Sequence, residues 1–322
     1  RLRWVSAVIA LMALALAGFG LTAWYMWTQV ETIDTAGSLS APSGGFTNYL
    51  IVGVDSRDGA DPTLDTAAQI GLGVAGSRSD TMVVLHTGDD GNRLVSLPRD
   101  LWVAIDGGPQ QAKLNAATAS QNGPAALIRT VQSELRIPIH HYLEVDIAGF
   151  LSVVDALGGI TLDFPAPTCD PKSGLDVRET GAVALSPEQA LAYVRSRTYT
   201  EFDVNGTAGL SCAQIRSAGL GTVVGNADFG RTERQRLFLL AVFDKISSTR
   251  NPVTLLRVLS GLTDGLRVDD TMGMRDAFGL MRKLRGLNAE TLSLPVSDFA
   301  APGGASALTL NDSSAAVLDL FR

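Results

Sequence analysis

Residues Asn48 to Arg57 read NYLIVGVDSR, an aliphatic run that ends in an acidic and a basic side chain. The segment Tyr49–Val54 is short, rich in aliphatic and β-branched residues and followed by polar ones, which is typical of a buried strand. Asp55 and Arg57 come directly after it, where a chain leaves its sheet and turns towards a surface cleft. Taken alone, Asp55 and Arg57 would be interpreted as an Asp-Ser turn next to a surface arginine, with no functional role. The stretch predicts a strand of the central sheet and marks its carboxyl end as a possible site.

Two further strands are predicted downstream of this one. The segments Thr81–His86 and Arg93–Leu97 have the same aliphatic and β-branched character. Between them, Asp89–Asn92 has the sequence DDGN, which is a strong hairpin signal. The two strands are therefore expected to be antiparallel neighbours in the sheet.

Charged residues flank both strands of this predicted hairpin. Arg78 and Asp80 precede the first strand, and Arg99 and Asp100 follow the second, so the hairpin brings both sets to one edge of the sheet. An isolated pair of this kind is usually a solvated ion pair that contributes less than about 1 kcal/mol. Several pairs at one edge favour a site instead, because guanidinium groups fit phosphate oxygens and carboxylates bind Mg²⁺. The pattern indicates pyrophosphate binding and phosphoryl transfer.

A predicted helix at Pro187–Arg195 adds further arginines. Ser186 is a suitable N-cap residue, and proline is favoured in the first turn of a helix. Arg195 and Arg197 lie at the end of this helix, where an extended backbone would put both side chains on one face.

The helix predicted at Arg231–Ile246 is a second candidate for phosphate binding. Asp228, Arg231 and Arg234 lie at its opening. The amides and the dipole of a helix N-terminus attract anions, and a spacing of three places the two arginines side by side. The residues whose helical recurrence supports this helix are Leu237, Leu240, Ala241 and Asp244.

The remaining pattern completes an α/β fold. A helix is predicted at Pro124–Leu135, and the C-terminal part alternates helical and strand patterns without a linker. The predicted class is a three-layer α/β/α arrangement with a central mixed, partly antiparallel sheet. The C-terminal elements are helices at Pro252–Ser260 and Met272–Leu284 and from Asp312, with strands at Thr291–Leu294 and Leu308–Leu310.

The N-terminal segment has a different character. No charged residue occurs from Trp4 to Val30, and Trp4–Trp27 is long enough to cross a bilayer as one helix with aromatic residues at both ends. Arg1 and Arg3 before it place the N-terminus in the cytoplasm. A cleaved signal peptide is the alternative, although its apolar core is normally shorter. The predicted division is 1–30 as cytoplasmic end and transmembrane helix, 31–45 as a flexible linker, and 46–322 as an extracytoplasmic catalytic domain.

Composition limits the kinds of partner. Residues 31–322 carry 24 basic and 33 acidic side chains, a net charge of −9. A domain this acidic is not expected to bind nucleic acid. Arginine outnumbers lysine 22 to 4, and alanine and glycine are abundant, a bias that fits the GC-rich genome of an actinobacterium.

Cys169 and Cys212 are the two cysteines of the chain. In an extracytoplasmic domain, two thiols meet an oxidising environment and can pair. A disulfide would tie down the irregular stretch between Asp163 and Gly225. Two separate buried thiols are the alternative.

In their order along the chain, these motifs resemble the LytR-CpsA-Psr family of bacterial cell-wall glycopolymer ligases. The likeness covers about residues 46–247 and rests on seven blocks. The blocks are Asn48–Arg57, Arg78–Met82, Val95–Asp100, Lys113–Ala117, Val154–Ile160, Gln189–Arg197 and Gly230–Arg236.

The resemblance implies a site that binds the pyrophosphate of a polyprenyl-diphosphate-linked glycan together with Mg²⁺, with Mn²⁺ as the other candidate metal. Carried over by motif, Asp55 and Asp80 are expected on the metal, and Asp228 is expected to orient or deprotonate the attacking hydroxyl. Three arginines, at 99, 195 and 197, are also counted as catalytic. The arginines expected to hold the phosphates are Arg57, Arg78, Arg99, Arg195, Arg197 and Arg231.

The function implied is that of a phosphotransferase anchored in the cytoplasmic membrane. It moves a phosphoglycan, such as arabinogalactan, from the polyprenyl-diphosphate carrier to a sugar hydroxyl of peptidoglycan and releases polyprenyl phosphate. Two alternatives stay open. One is a pyrophosphatase that hydrolyses polyprenyl diphosphates, and the other is a non-catalytic protein that binds wall polymer or regulates its attachment.

A lipid chain also needs an apolar slot, for which the family is known. The inner face of the Arg231 helix is one expected wall, and ordinary core packing is the alternative for the same residues. The residues expected to form the other wall are Phe150, Leu151, Val153, Val154 and Leu157.

Two other signals support no functional prediction. Residues Gly71–Gly76 fit the pattern GxGxxG but neither follow a strand nor open a helix, so a flexible loop is the better interpretation. The histidines at His86, His140 and His141 are wrongly spaced for a zinc site, and His86 is expected in the core or on a sheet face.

Overall fold

The computed structural model describes residues 17–42, 45–54, 79–120, 122–224, 227–263, 265–284 and 289–322. Within these ranges the strands are β1 (Glu31–Ile33), β2 (Phe46–Val54), β3 (Ser79–Gly88), β4 (Gly91–Ser96), β5 (Trp102–Ala104), β6 (Gln111–Lys113), β7 (His141–Val145), β8 (Ile160–Phe164), β9 (Thr168–Asp170), β10 (Leu175–Val177), β11 (Gly181–Leu185), β12 (Thr200–Phe202), β13 (Gly221–Val223), β14 (Leu266–Asp269), β15 (Glu290–Ser293), β16 (Val296–Ala300) and β17 (Ser306–Leu310). The helices are α1 (17–27), α2 (Gly123–Thr130), α3 (Ile147–Ala156), α4 (Pro187–Arg195), α5 (Cys212–Ser217), α6 (Ala227–Ser248), α7 (Pro252–Thr263), α8 (Met274–Leu284) and α9 (Ser314–Leu318). Short 3-10 or π turns occur at Ile105–Gly107, Leu114–Ala119, Val131–Leu135, Val204–Gly206 and Asp319–Phe321.

A mixed seven-stranded sheet forms the centre of the domain, in the order β1-β14-β7-β2-β3-β4-β15. Strands β2, β3 and β4 are consecutive antiparallel neighbours, whereas β7 runs parallel to β2 and β15 runs parallel to β4. The turn between β3 and β4 lies at residues 89–90, and Gly91 after it has a φ of 116°, which favours glycine. The predicted hairpin is therefore confirmed.

The alternation of side chains along β2 contributes to a core on each face of the sheet. Leu50, Val52 and Val54 point to one side, where they pack with α2 and with the C-terminal segment. Tyr49 and Ile51 point to the other side and pack with residues of α1, α6 and α8. Helices thus cover both faces, and the expected α/β class with a central mixed sheet is confirmed.

A group of smaller elements extends the second face. The β8–β11 pair and the helices α3, α4, α6 and α7 enclose an apolar core of their own. Beside it lies the four-stranded sheet β10-β9-β12-β13, whose strands have three residues each. Cys169 of β9 and Cys212 at the start of α5 form a disulfide, with their Cα atoms 5.9 Å apart. The predicted pairing is confirmed, and it joins this small sheet to α5.

The predicted helices are present, with small shifts at their ends. Helix α4 has the predicted bounds, and the Ser186 hydroxyl accepts a backbone N–H of its first turn. The helix predicted at Arg231–Ile246 begins earlier and ends later, as α6. Its expected stripe is wrong in two positions, because Leu237 and Asp244 are exposed, and Phe238 is buried instead.

The stretch expected to be a flexible linker differs from that expectation. Glu31–Ile33 forms β1, which pairs in parallel with β14 at the edge of the central sheet. Thr35 is buried and donates a hydrogen bond of 3.1 Å to Asp270, and Ser40 donates to Gln132. These contacts hold the chain against the domain well before Phe46, where the sequence predicted the domain to begin.

The predicted transmembrane helix is described only in part. Residues 17–27 form α1, whereas residues 1–16 lie outside the described ranges. Among the ranges described, no helix combines the length and the apolar composition that a bilayer span requires.

Candidate active site

Several strand ends meet at one edge of the central sheet. The end of β2 lies opposite the start of β3, where Gly53 pairs with Thr81. The end of β4 reaches the same edge, because Ser96 pairs with Val83, and the parallel strand β7 also ends there, at Val145. The hairpin therefore brings the strand ends together, as the sequence predicts.

A cavity of about 1050 Å³ opens at this edge and continues between the sheet and the helices α3, α6, α7 and α8. Along α6 its lining residues recur at helical spacing. They begin with Arg231 and Gln235 and continue with Phe238, Val242 and Ile246. The wall therefore changes from polar, at the start of the helix, to apolar along the rest of it.

The polar end of the cavity carries three of the predicted arginines. Arg195, Arg197 and Arg231 all line it, together with Lys172. Helix α4 ends at Arg195, and Ser196 is extended, with φ −59° and ψ 126°, so that the helix stops between the first two arginines. Arg231 comes from the first turns of α6 and is buried, with only 5% of its surface exposed. Residues from two helices thus place cationic groups at one end of an apolar space.

A buried carboxylate fixes the backbone that carries Arg197. Asp170, at the end of β9, accepts hydrogen bonds from the backbone N–H groups of Arg197 (3.0 Å) and Thr198 (2.8 Å). The hydroxyls of Ser196 and Thr198 donate to it at 2.8 and 2.7 Å. Burial alone would raise the pKa of Asp170, but these hydrogen bonds outweigh burial and hold the pKa below its usual value. Asp170 is therefore ionised at neutral pH.

Arg234 supports the same segment from α6. Its guanidinium donates to the Ser196 carbonyl and lies over the Tyr199 ring, 4.9 Å from the ring centroid. The two arginines that the sequence places side by side therefore have separate positions. Arg231 lines the cavity, and Arg234 packs against residues 196–199.

Arg99 lies near the same strand edge but is not among the residues that line the cavity. Its Nε is 3.3 Å from the carboxylate of Asp100, which also accepts a hydrogen bond of 2.7 Å from Lys113. Burial would raise the pKa of Asp100, but Lys113 and Arg99 outweigh it and hold the pKa below its usual value. The structure therefore does not bring Arg99 into the cavity with the other three arginines.

Several predicted site residues fall outside what the structure describes. Asp55, Arg57 and Arg78 lie outside the described ranges altogether. Asp80 is in β3 and Asp228 is in the first turn of α6, but only their backbone is described. Across the described ranges, no three His, Cys, Asp or Glu residues come together as a metal cluster. The roles assigned to these residues, and the metal, stay predictions.

The cavity occupies the place of the expected lipid slot, with some differences in its wall. Phe150, Val153 and Val154 of α3 line it. Leu157, just beyond the end of α3, is instead packed in the neighbouring core, and Leu151 is not among the lining residues.

The last two sequence signals are the histidine His86 and the glycine-rich segment Gly71–Gly76. His86 is buried in β3, and its ring nitrogens lie within hydrogen-bond distance of Asn48 (2.8 Å) and Asp90 (3.2 Å), so its predicted place in the core is confirmed. The segment Gly71–Gly76 lies outside the described ranges.

Three contributors to the site were missed in the sequence. They are Asp170, Lys172 and the supporting role of Arg234. A signal existed for Asp170, which directly follows Cys169, because a disulfide there fixes the strand that ends in this carboxylate. Nothing in the sequence pattern marks Lys172.

Comparison with known proteins identifies a family and several similar proteins. The model of the LytR_cpsA_psr family matches residues 28–208. The chain is 32% identical over 234 residues to the probable cell wall biosynthesis protein LcpB of Corynebacterium glutamicum, which is 71% of this chain and 48% of that protein. It is 30% identical over 246 residues to the polyisoprenyl-teichoic acid–peptidoglycan teichoic acid transferase TagU of Enterococcus faecalis, which is 73% of this chain and 68% of that protein. The matched part thus spans about half the length of LcpB.

Solved structures share the fold. The LytR-Csp2A-Psr enzyme from Actinomyces oris superposes with a TM-score of 0.67 at 22% identity, over 91% of this chain and 95% of that one. TagT bound to LIIa-WTA superposes with a TM-score of 0.63 at 21% identity, over 90% of this chain and 98% of that one. With a family match that extends over more than half of its length, the chain belongs to the LytR-CpsA-Psr family.

Proposed function

We propose that this protein is a phosphotransferase that moves a phosphoglycan from a polyprenyl-diphosphate carrier to a sugar hydroxyl of peptidoglycan. The observation that carries the proposal is the cavity, an apolar space that ends in Arg195, Arg197 and Arg231. A lipid diphosphate has the same division into an apolar chain and a doubly anionic head. The relative TagU is named as a transferase of polyisoprenyl-linked teichoic acid to peptidoglycan, so its name gives a donor and an acceptor of the same classes.

The two ends of the cavity supply different parts of the binding energy. Burial of a lipid chain against apolar walls contributes roughly 25 cal/mol per Å² of apolar surface removed from water. The arginines can hold phosphate oxygens in pairs, and the interaction is strongest where water is excluded, as it is around the buried Arg231. Arg197 is exposed, which leaves one side of the headgroup open to an acceptor.

In the proposed step, an acceptor sugar hydroxyl attacks the phosphorus next to the glycan. A bond forms between that phosphorus and the acceptor oxygen, the bond from the phosphorus to the bridging oxygen breaks, and polyprenyl phosphate leaves with the bridging oxygen. The hydroxyl proton passes to a carboxylate, for which Asp228 at the start of α6 is the candidate. The arginines stabilise the charge on the phosphate oxygens, and Asp170 and Arg234 hold the segment of Arg197 in place beforehand.

A divalent metal, Mg²⁺ or Mn²⁺, belongs to the proposal through Asp55 and Asp80. Carboxylate oxygens are the ligands that these ions prefer, and a bound metal would neutralise part of the charge on the diphosphate. The described residues alone do not form a metal cluster, and none of the steps above depends on the metal. Arg57 and Arg78 are proposed as further contacts to the phosphates, as is Arg99, which lies near the strand edge where the cavity opens but outside the cavity lining.

We place this reaction on the outer side of the cytoplasmic membrane. The uncharged run Trp4–Trp27 would anchor the chain with its N-terminus in the cytoplasm. The disulfide between Cys169 and Cys212 supports an oxidising compartment. Arabinogalactan is the glycan that we propose, from the actinobacterial composition of the chain and its likeness to a corynebacterial relative.

The proposal is tested with the full chain, a polyprenyl-diphosphate-linked glycan and peptidoglycan fragments. Mass spectrometry is expected to detect a phosphodiester that joins glycan and fragment, with polyprenyl phosphate in equal amount. The variant Arg197→Ala is expected to lose most of this product. Arg136→Ala is the matched control, because Arg136 is exposed and does not line the cavity.

Two results would overturn the proposal. Glycosyl phosphate and polyprenyl phosphate without any phosphodiester would identify a pyrophosphatase. Donor binding without turnover, combined with normal wall attachment in cells that carry Arg197→Ala, would identify a non-catalytic binding protein.

A further inference from the structure

Helix α8 has an exposed face that is apolar in the middle and basic at both ends. Phe278 is 68% exposed and also belongs to the cavity wall. Arg275 and Arg282 lie three residues before and four residues after it, so all three side chains are on one face of the helix. Asp276, the acidic residue of this helix, accepts a hydrogen bond from the backbone of Gly273 and so belongs to its first turn.

Helix α1, beside α8, also exposes apolar side chains but carries no charge. Ala23 and Trp27 of α1 line the cavity, and Trp27 packs into the same core as Ala277 of α8. The opposite side of α1 is apolar and exposed, with Trp24 at 58% and Tyr25 at 62%. Two neighbouring helices thus expose aromatic side chains where the cavity reaches the surface.

This part of the cavity is separate from its arginine end. Leu239 and Phe243 of α6 share a core with α1 and α8, and they follow Arg231 by eight and twelve residues. At a rise of about 1.5 Å per residue, that is a distance of roughly 12 to 18 Å along the helix axis. The cavity therefore has an apolar opening at α1 and α8 that is distinct from its phosphate-binding end.

We propose that the exposed face of α8, formed by Arg275, Phe278 and Arg282, docks on an anionic phospholipid bilayer and that the lipid chain of the donor enters the cavity there. The face has the composition of an interfacial helix, with an aromatic residue between basic ones. Positive charge at this place attracts anionic lipid headgroups although the domain as a whole is acidic. Lys283 adds a further exposed cation beside Arg282.

The uncharged run of the sequence supports a bilayer as the partner. This run, Trp4–Trp27, ends with the last residue of α1, so the chain that precedes α1 is apolar enough to be buried in lipid. A bilayer that holds the part of the run before α1 lies beside α1 and consequently beside α8. The docking face deepens the proposed function, because it gives the donor a route from the bilayer to the arginines.

The test uses the full chain reconstituted in vesicles, with a single environment-sensitive fluorophore. Both native cysteines are in the disulfide, so a new cysteine is the one free thiol available for labelling. The probe is placed with Phe278→Cys and, as the control, with Phe299→Cys. Phe299 is also an exposed phenylalanine, but it lies on the β16–β17 hairpin and does not line the cavity.

In vesicles that contain phosphatidylglycerol, the label at 278 is expected to emit at shorter wavelength, to be quenched by nitroxide-labelled lipid and to be protected from iodide. The label at 299 is expected to stay accessible to iodide. When Arg275→Glu is added to the protein labelled at 278, the reversed charge is expected to remove much of the contact of the label with lipid. The control Arg136→Glu is expected to leave this contact unchanged. Equal accessibility of the two labels, or protection of the 278 label without quenching by lipid, would overturn the proposal.

The outcome is distinguishable from that of the proposed function, because lipid contact is measured without donor or acceptor. A chain that embeds position 278 but forms no phosphodiester would contradict the proposed function alone. A chain that transfers glycan while position 278 stays accessible to iodide would contradict the docking face alone.

Discussion

A single buried carboxylate determines where Arg197 lies. Asp170 binds the main chain at Arg197 and Thr198, so the arginine side chain extends into the cavity from a fixed backbone. Arg234 adds a hydrogen bond to the carbonyl of Ser196. The backbone of Arg197 is thus ordered by folding, before any ligand binds, which is what the proposed stabilisation of phosphate charge requires.

The first prediction at this scale concerns Arg231. Replacement by alanine removes a guanidinium from the water-poor end of the cavity, and hydrogen bonds to charged groups are worth about 1.5–3 kcal/mol. Arg231→Ala is therefore expected to weaken binding of a polyprenyl diphosphate by about 10- to 100-fold, as measured by titration calorimetry. Arg231→Lys keeps the charge but loses the paired geometry, so it should recover only part of the affinity. Unchanged binding in both variants would remove Arg231 from the headgroup site.

The second prediction concerns the pH dependence of stability at Asp170. Its pKa is lowered in the folded protein, so its ionised form contributes stability above the unfolded pKa of about 4, and this contribution is lost as pH falls through the folded pKa. Asp170→Asn is expected to cost about 1–3 kcal/mol at neutral pH, because one buried acceptor becomes a donor. The difference in unfolding free energy between the two proteins should shrink at pH below about 4, as measured by urea denaturation.

The control for this experiment is Asp155→Asn, at an exposed position of α3. It should have little effect on stability at any pH. A stability difference for Asp170→Asn that is the same at pH 3 and pH 7 would contradict the assigned ionisation.

At the scale of elements, the small sheet depends on its covalent link. The disulfide joins β9 to α5 across 43 residues of sequence, and the same strand ends in Asp170. Strands of three residues make few hydrogen bonds of their own, so a cross-link that limits the unfolded chain matters more to them than to β2 or β3.

Replacement of both cysteines tests this dependence. The double variant Cys169→Ser with Cys212→Ser is expected to lose about 2–4 kcal/mol of unfolding free energy in urea denaturation. The wild type in reductant should show a similar loss, and reductant should not affect the double variant. An equal stability of the oxidised wild type and the double variant would show that the link contributes nothing.

The elements also differ in how far they can be predicted from sequence. Strands β2, β3 and β4 could be predicted because they are long and aliphatic, and because an Asp-Gly turn joins β3 to β4. The three-residue strands β9, β10 and β12 could not, because their stability comes from packing and from the disulfide and leaves little local pattern. The same limit explains the error in the predicted buried stripe of α6. Apolar residues occur on more than one side of this helix, and the buried stripe passes through Phe238, not Leu237.

The site residues likewise divide into those that could be predicted from local sequence and those that could not. Arg195, Arg197 and Arg231 were identified from short motifs at helix ends, which place them locally, and all three line the cavity. Asp170 acts across a separation of 27 residues in the chain, and only the folded structure brings it to Arg197. The neighbouring Cys169 marks the strand that ends in Asp170, but local pattern does not predict the contact of Asp170 with Arg197.

At the scale of the whole molecule, the cavity lies between the sheet and a layer of helices. Its volume of about 1050 Å³ is bounded by elements from the N-terminal to the C-terminal part of the chain. A space of this kind selects ligands by length, because each added isoprene unit buries more apolar surface until the wall ends.

Filling the cavity from α8 should therefore change chain-length preference. Ala277 lines the apolar part, and Ala277→Phe is expected to weaken binding of a long polyprenyl diphosphate by at least about tenfold, through loss of apolar contact. A geranyl diphosphate, whose short chain stays near the arginines, should bind almost as before. The control Ala182→Phe lies at an exposed position of β11, and both ligands should bind to it normally. Equal weakening for short and long ligands would contradict the proposed direction of the chain.

The pairing of β1 with β14 leaves only residues 28–30 between α1 and the central sheet. In the proposed arrangement, the enzyme therefore has no slack with which to search the wall, and its catalytic groups work at one fixed height above the bilayer. Acceptor strands have to come down to that height, which favours newly made peptidoglycan next to the membrane over the mature outer layers.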